Sequence, residues 1–200
     1  MAEVIELPWF PLGVVVLPGE EFYLHIFEPR YKQLISDIKE AGKTFLISYE
    51  KYGDQQSYGT EVKLKTIFSV YPEGEMDISV IGLRVFQLTG ITPSTDKLYG
   101  NVIASFEDFV SAEPQQLLAL RPLLMEYLQL KKGEPVKLAT NRPVSSFDAA
   151  ILLNLAPEQK YALISLFSEP KRVNWLANEL RILLQARRME IQLDQNFYLN

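Results

Sequence analysis

The only histidine of the chain, His25, lies close in sequence to Glu28 and Arg30. A histidine held by a carboxylate can serve as an oriented general base. Such a base needs a nucleophile, and nothing here nominates one: the chain has no cysteine and no GxSxG elbow. A structural reading explains the same residues better. His25 lies in the apolar run Phe22 to Phe27, and Pro29 opens a helical pattern behind it. Glu28 then favours the positive end of a helix dipole and Arg30 pairs with it. No catalytic residue is expected.

Two further patterns fail on context. Gly42-Lys43-Thr44 has the last letters of a phosphate-binding loop, but position 37, where the first glycine belongs, is Asp. It also closes a helical pattern before a strand, the reverse of what such a loop needs. Glu73, Glu75 and Asp77 are three carboxylates in a turn, whereas Ca²⁺ takes six or more oxygens. We expect neither metal nor cofactor. The aromatic content, 12%, is high for an acidic chain. Trp9, Tyr49, Tyr52, Tyr58 and Tyr71 fall in or beside expected loops and are the candidate binding residues. Clustered with an apolar patch, such side chains mark a polypeptide-binding face. Left scattered, they are ordinary solvated tyrosines.

With 200 residues and 48% hydrophobic content, the chain can build one ordinary domain or two small ones. A net charge of −5 argues against a nucleic-acid surface. Without cysteine there is no disulfide and no thiolate metal site. The N-terminus lacks a secretory pattern and no apolar run is long enough to span a bilayer, so a cytoplasmic location is expected, with no membrane partner. Charge is uneven: residues 1–110 carry 9 Lys+Arg against 16 Asp+Glu, and residues 111–200 carry 11 against 9. A change of architecture near 110 is in keeping with that.

The elements follow from periodicity. Val14 to Leu17 and Phe22 to Phe27 read as short strands, and Tyr31, Leu34, Ile35 and Ile38 share one face of a helix ended by Gly42. Thr44 to Glu50 is a strand, Tyr49 to Tyr58 a surface loop, and Gly59 to Tyr71 a half-buried strand that places Val62, Leu64, Phe68 and Val70 on one face. The turn Pro72 to Glu75 joins it to a strand from Met76, which continues from a bend at Gly82 to Ile91, and Leu98 to Val110 is the last strand. Together these suggest a closed or nearly closed antiparallel sheet. Helices follow: one from Pro114, with Pro122 kinking or dividing it, one capped by Ser145 or Ser146, one from Pro157, and one from Pro170 to about Arg188.

The stretch Leu7 to Ile35, LPWFPLGVVVLPGEEFYLHIFEPRYKQLI, resembles the opening of the Lon protease N-terminal (substrate-binding) domain family. Pro11, Leu12, Pro18, Gly19, His25, Ile26, Phe27, Glu28, Pro29, Arg30 and Tyr31 match its pattern. Trp9 and Tyr23 replace an aliphatic residue and a proline. In the helical half, FDAAILLNLAPEQKYALISLFSEPKRVNWLANEL resembles a second family segment, with Lys160, Leu163, Arg172 and Leu176 at comparable places. The resemblance implies an α+β fold, with an N-terminal antiparallel PUA-like pseudo-barrel over 1–111 and a C-terminal helical bundle over 112–200. It further implies a stand-alone, non-catalytic module that binds unfolded polypeptide or a partner protease, as a monomer or weak dimer, with the motif residues structural. The related cereblon domain makes a small-molecule-binding module the alternative.

Overall fold

The computed structural model describes residues 3–106, 114–132 and 144–197. In chain order the elements are β1 (Glu3–Leu12), β2 (Glu21–Ile26), α1 (Pro29–Ala41), β3 (Thr44–Lys51), β4 (Asp54–Val70), β5 (Met76–Thr92), β6 (Asn101–Phe106), α2 (Pro114–Lys132), α3 (Ser146–Leu153), α4 (Pro157–Ile164) and α5 (Glu169–Phe197). They fall into two compact units: Met1–Asp108 with Leu155–Ser165, and Phe109–Asn154 with Leu166–Asn200. Helix α4 therefore groups with the strands, although the sequence places it among the helices. The expected polar loop 131–143 and the end of the last strand lie largely outside the described residues.

In the first unit the six strands run in the order β2-β5-β4-β3-β1-β6, and β5 also pairs with β6. That second pairing closes a five-stranded ring and leaves β2 at the margin. β5 manages both partners because it is long: Met76–Ile81 faces β2, and Gln87–Thr92 faces β6. The sheet is mixed, not wholly antiparallel. β1 and β3 run parallel from Trp9↔Leu46 to Leu12↔Tyr49, with α1 in the crossover between them. A parallel pair needs such a crossover, and helix signals at Pro29 and Gly42 do not by themselves announce it.

β1 lies upstream of the strand expected at Val14 to Leu17. Its prolines are tolerated because it exchanges partners along its length: Glu3–Pro8 pairs with β6, and Trp9–Leu12 with β3. Val15, Val16 and Leu17 are buried without belonging to the ladder. Side chains satisfy their backbone instead: Thr60 Oγ1 donates to the Val16 carbonyl at 2.6 Å, and the Leu17 amide donates to Glu20 Oε2 at 2.8 Å. Gly82 meets this segment where nothing larger fits, since a Cβ there would stand 2.1 Å from the Leu17 carbonyl oxygen.

Two other expectations change. Tyr49 to Tyr58 is not an open loop; β3 and β4 continue to a two-residue turn at Tyr52-Gly53, where φ is 54° and 86°. Both positive values fit the tight hairpin turn whose twist matches the strands. Along β4, register shifts lie between Leu64 and Thr66 and between Ile67 and Ser69. Each inserts a residue and reverses side-chain parity. Ile67 consequently packs on the core while Phe68 and Val70 are exposed.

Helix α1 is built as its sequence reads. Pro29 occupies its first turn, Gly42 ends it at φ 62°, and Tyr31, Leu34, Ile35 and Ile38 are buried. They join Phe10, Val16, Ile26, Phe45, Ile47, Val62, Ile78 and Val80 in the main core. A second core, Leu7, Leu46, Phe86, Val102 and Ala104, lies on the other part of the ring.

The second unit packs α2 and α3 against α5. α2 buries Leu120, Leu124 and Leu128 at four-residue spacing, and Pro122 sits inside a helix that it does not divide. Ser145 caps α3 in a reciprocal arrangement with Asp148. Ser146 is occupied otherwise: its Oγ donates to Glu169 at 2.7 Å and accepts from the buried Arg172 at 3.1 Å. α5 continues beyond Arg188 to Phe197, presenting Val173, Leu176, Leu180 and Leu184 to the interior.

Candidate functional site

β2 carries apolar residues on both faces. Phe22, Leu24 and Ile26 pack on the main core. Tyr23 and His25 alternate with them and point outward, and Phe27 follows just past the strand end, 58% exposed. Across the sheet, the second shift in β4 turns Phe68 to the same side, where its ring stacks on Tyr23 with centroids 5.7 Å apart. His25 lies between Phe27, at 6.2 Å, and the edge of Tyr71, at 6.0 Å. Val70 is 68% exposed as well, but it pairs with Met76 of the core and so stands on the other face. Tyr23, His25, Phe27, Phe68 and Tyr71 make an aromatic strip on an outer face of β2, β5 and β4. Leaving it in water is unfavourable, at roughly 25 cal/mol per Å² of apolar surface.

The strip has a polar seam. Tyr71 donates its hydroxyl to Asp77 Oδ2 at 2.6 Å, and His25 Nδ1 lies 2.7 Å from Asp77 Oδ1. The bonds from Tyr71 and then His25 hold the Asp77 carboxyl below its usual range, and the Tyr71 hydroxyl is raised by the same partner. Glu75 stands 3.8 Å from His25 Nε2. No nucleophile meets His25 in these contacts, and among the described residues no cluster of three or more His, Cys, Asp or Glu is placed to hold a metal.

The residues singled out from sequence occupy several settings. Tyr71 belongs to the strip. Tyr49 is buried and donates to Glu158 Oε1 at 3.3 Å, with its ring 5.3 Å from Tyr161 of α4. Tyr58 is half-buried, 6.2 Å from the same Tyr161. Tyr52 is 95% exposed at the hairpin tip, with Lys51 over its ring. Trp9 is half-buried and donates to Ser48 Oγ at 2.7 Å. It lines a cleft of about 250 Å³ with Pro11, Tyr31, Leu98 and Tyr99. A larger cleft, about 510 Å³, lies near the end of α1, and its Asp37, Lys97 and Tyr99 are bonded to one another.

The motif residues divide. Tyr31 is buried, Pro29 starts α1, and Gly19, at φ 83°, donates to the Gly82 carbonyl at 2.9 Å. Pro18 precedes that turn and Pro11 pairs with Ser48 in the sheet. Glu28 stands at the helix N-cap, yet its side chain caps nothing; it accepts Arg30 Nε at 2.8 Å. His25 and Phe27 face solvent. Sequence reasoning missed Tyr23 and Phe68. The signal for Tyr23 was present, since Tyr23, His25 and Phe27 alternate with a complete inward set.

The family model described as the ATP-dependent protease La (LON) substrate-binding domain matches residues 6–186. The chain belongs to the LON substrate-binding domain family. The fold is likewise that of solved Lon N-terminal structures. The crystal structure of a Lon N-terminal domain protein from Xanthomonas campestris is 24% identical, covers 87% of this chain and 98% of its own, and superposes with a TM-score of 0.67. The N-terminal domain of the Mycobacterium avium complex Lon protease is 15% identical, covers 88% and 98%, and gives 0.68. Comparison with curated proteins gave no match. The LON-domain architecture here, a six-stranded sheet with five helices among the described residues, is the expected α+β class. Among the described residues no helix is long and apolar enough to cross a membrane.

Proposed function

We propose that this LON substrate-binding domain is a non-catalytic, cytoplasmic module that binds polypeptide, either unfolded substrate or a partner protease, as a monomer or weak dimer. The observation that carries the reading is the strip Tyr23, His25, Phe27, Phe68 and Tyr71. It is aromatic, exposed and borders β2, a strand at the sheet margin. Stiff rings with polar tips suit contacts with many different chains, and a marginal strand offers backbone pairing to an extended one. Tyr52 at the hairpin tip and the Trp9 cleft are auxiliary contacts in this reading. The alternative, a small-molecule site, draws on the larger cleft, whose charged groups already satisfy one another.

The test replaces Tyr23 and Phe68 together with serine. Both are exposed, so the melting temperature should hold. Capture of a reduced, carboxymethylated client should fall at least fivefold. Equal capture by this variant, and by Tyr52→Ser with Tyr58→Ser, would remove the aromatic surfaces from consideration.

A further inference from the structure

β4 outruns its neighbour. Its pairing with β3 ends at Thr44↔Lys63, whereas its pairing with β5 continues to Val70. From Leu64 onward, no strand lies on the β3 side among the described residues. α1 stands there instead, and a groove of about 390 Å³ separates it from the strand. The floor is apolar: Ile38 is buried, and Leu64 and Ile67 pack on the same core. The walls carry Lys39, Lys43, Lys63 and Lys65, and no carboxylate lines the groove.

That charge is not an average property of the region. Residues 1–110 hold 9 Lys+Arg against 16 Asp+Glu. Four of those nine cations border this one groove. Lys65 pairs with Glu21. Lys39, Lys43 and Lys63 are exposed, and none lies within ion-pair distance of a carboxylate among the described residues. Lys39 and Lys43 flank the end of α1, where cations offset the negative end of the helix dipole. Lys63 and Lys65 are on the strand, where that explanation does not reach.

We infer that this groove takes an extended acidic segment of a polypeptide, which adds to the open edge of β4 between Leu64 and Ile67. Backbone pairing supplies the hold common to strand addition. Alternate side chains of such a segment point to opposite faces. One set drops an aliphatic residue onto Ile38, Leu64 and Ile67. The carboxylates meet the lysines, which as flexible point charges gather around anions without demanding one geometry. The inference rests on the polypeptide-binding reading above and adds a substrate class to it: chains with an acidic, strand-forming stretch.

The test uses the full chain and a fluorescein-labelled nine-residue peptide that alternates Glu with Val. Two controls replace every Glu by Lys, or methylate alternate backbone nitrogens. Anisotropy should show the acidic peptide binding at least tenfold tighter than either control, and weakening as salt rises, because exposed charges are screened. Lys43→Glu with Lys63→Glu should lose tenfold or more, with the melting temperature lowered by no more than the few degrees that a reversed charge at the end of α1 costs, while Tyr23→Ser with Phe68→Ser retains the peptide. Equal binding of acidic and basic peptides, or of both proteins, overturns the inference. If the methylated peptide binds as well as its parent and a short polyphosphate displaces it, the groove is a general anion site and strand addition is wrong. If the peptide fails while an unfolded client is still captured, only the groove is lost; if both fail, the polypeptide-binding reading falls with it.

Discussion

Lys160 Nζ donates to Glu20 Oε1 at 2.5 Å, joining α4 to the turn before β2 across 140 residues of sequence. Both side chains are nearly buried, at 7% and 12% exposure. Glu20 Oε2 also receives the Leu17 amide. One carboxylate thus organises the irregular Val15–Leu17 segment and anchors a helix made much later.

Lys160→Met should therefore destabilise the protein by about 3 kcal/mol, because it leaves a desolvated carboxylate without its cation. Adding Glu20→Leu should restore part of that loss, limited by the Leu17 amide that then lacks an acceptor. A double-mutant cycle from denaturant unfolding checks both. Additive single effects would show that the pair is not coupled.

Glu28→Ala should change stability by less than about 1 kcal/mol. Its side chain caps no amide, and what it contributes is a charge at the N-terminus of α1 and a half-exposed ion pair with Arg30. A thermal melt showing a large drop would reveal a part for Glu28 beyond that pair.

Asp37 receives hydrogen bonds from Lys97 and Tyr99, and these hold its carboxyl below the ordinary range. The group binds its proton less readily folded than unfolded. Its contribution is present above the unfolded carboxylate pKa, about 3.9, and is lost as pH falls through the lower folded value. Asp37→Asn should lower the melting temperature by a few degrees at pH 7, and the difference from the parent should shrink as pH falls below the ordinary carboxylate range. A difference that persists there would point to packing instead of charge.

What could be read from sequence was local. The face of α1, its Gly42 stop and the Ser145 cap depend on residues within a few positions of one another. What escaped depended on distant partners. The parity of Phe68 is set by a shift against β5, and nothing in the alternation of β4 encodes it. Lys160 and Arg172 stood out only through family resemblance; their buried carboxylate partners, Glu20 and Glu169, were not apparent from spacing. The aromatic strip was half legible: Tyr23, His25 and Phe27 alternate plainly, but only the fold brings Phe68 and Tyr71 beside them.

The first unit is discontinuous in the chain, since Leu155–Ser165 returns to it after Phe109–Asn154 has been laid down elsewhere. During synthesis the six strands emerge first, yet Glu20 has no cation and Tyr49 and Tyr58 lack the Tyr161 ring until α4 leaves the ribosome. The ring itself is closed by β5 and β6, but it lacks α4 until some fifty further residues have been translated. Vectorial synthesis thus makes α4 the last piece of a unit whose strands are already made.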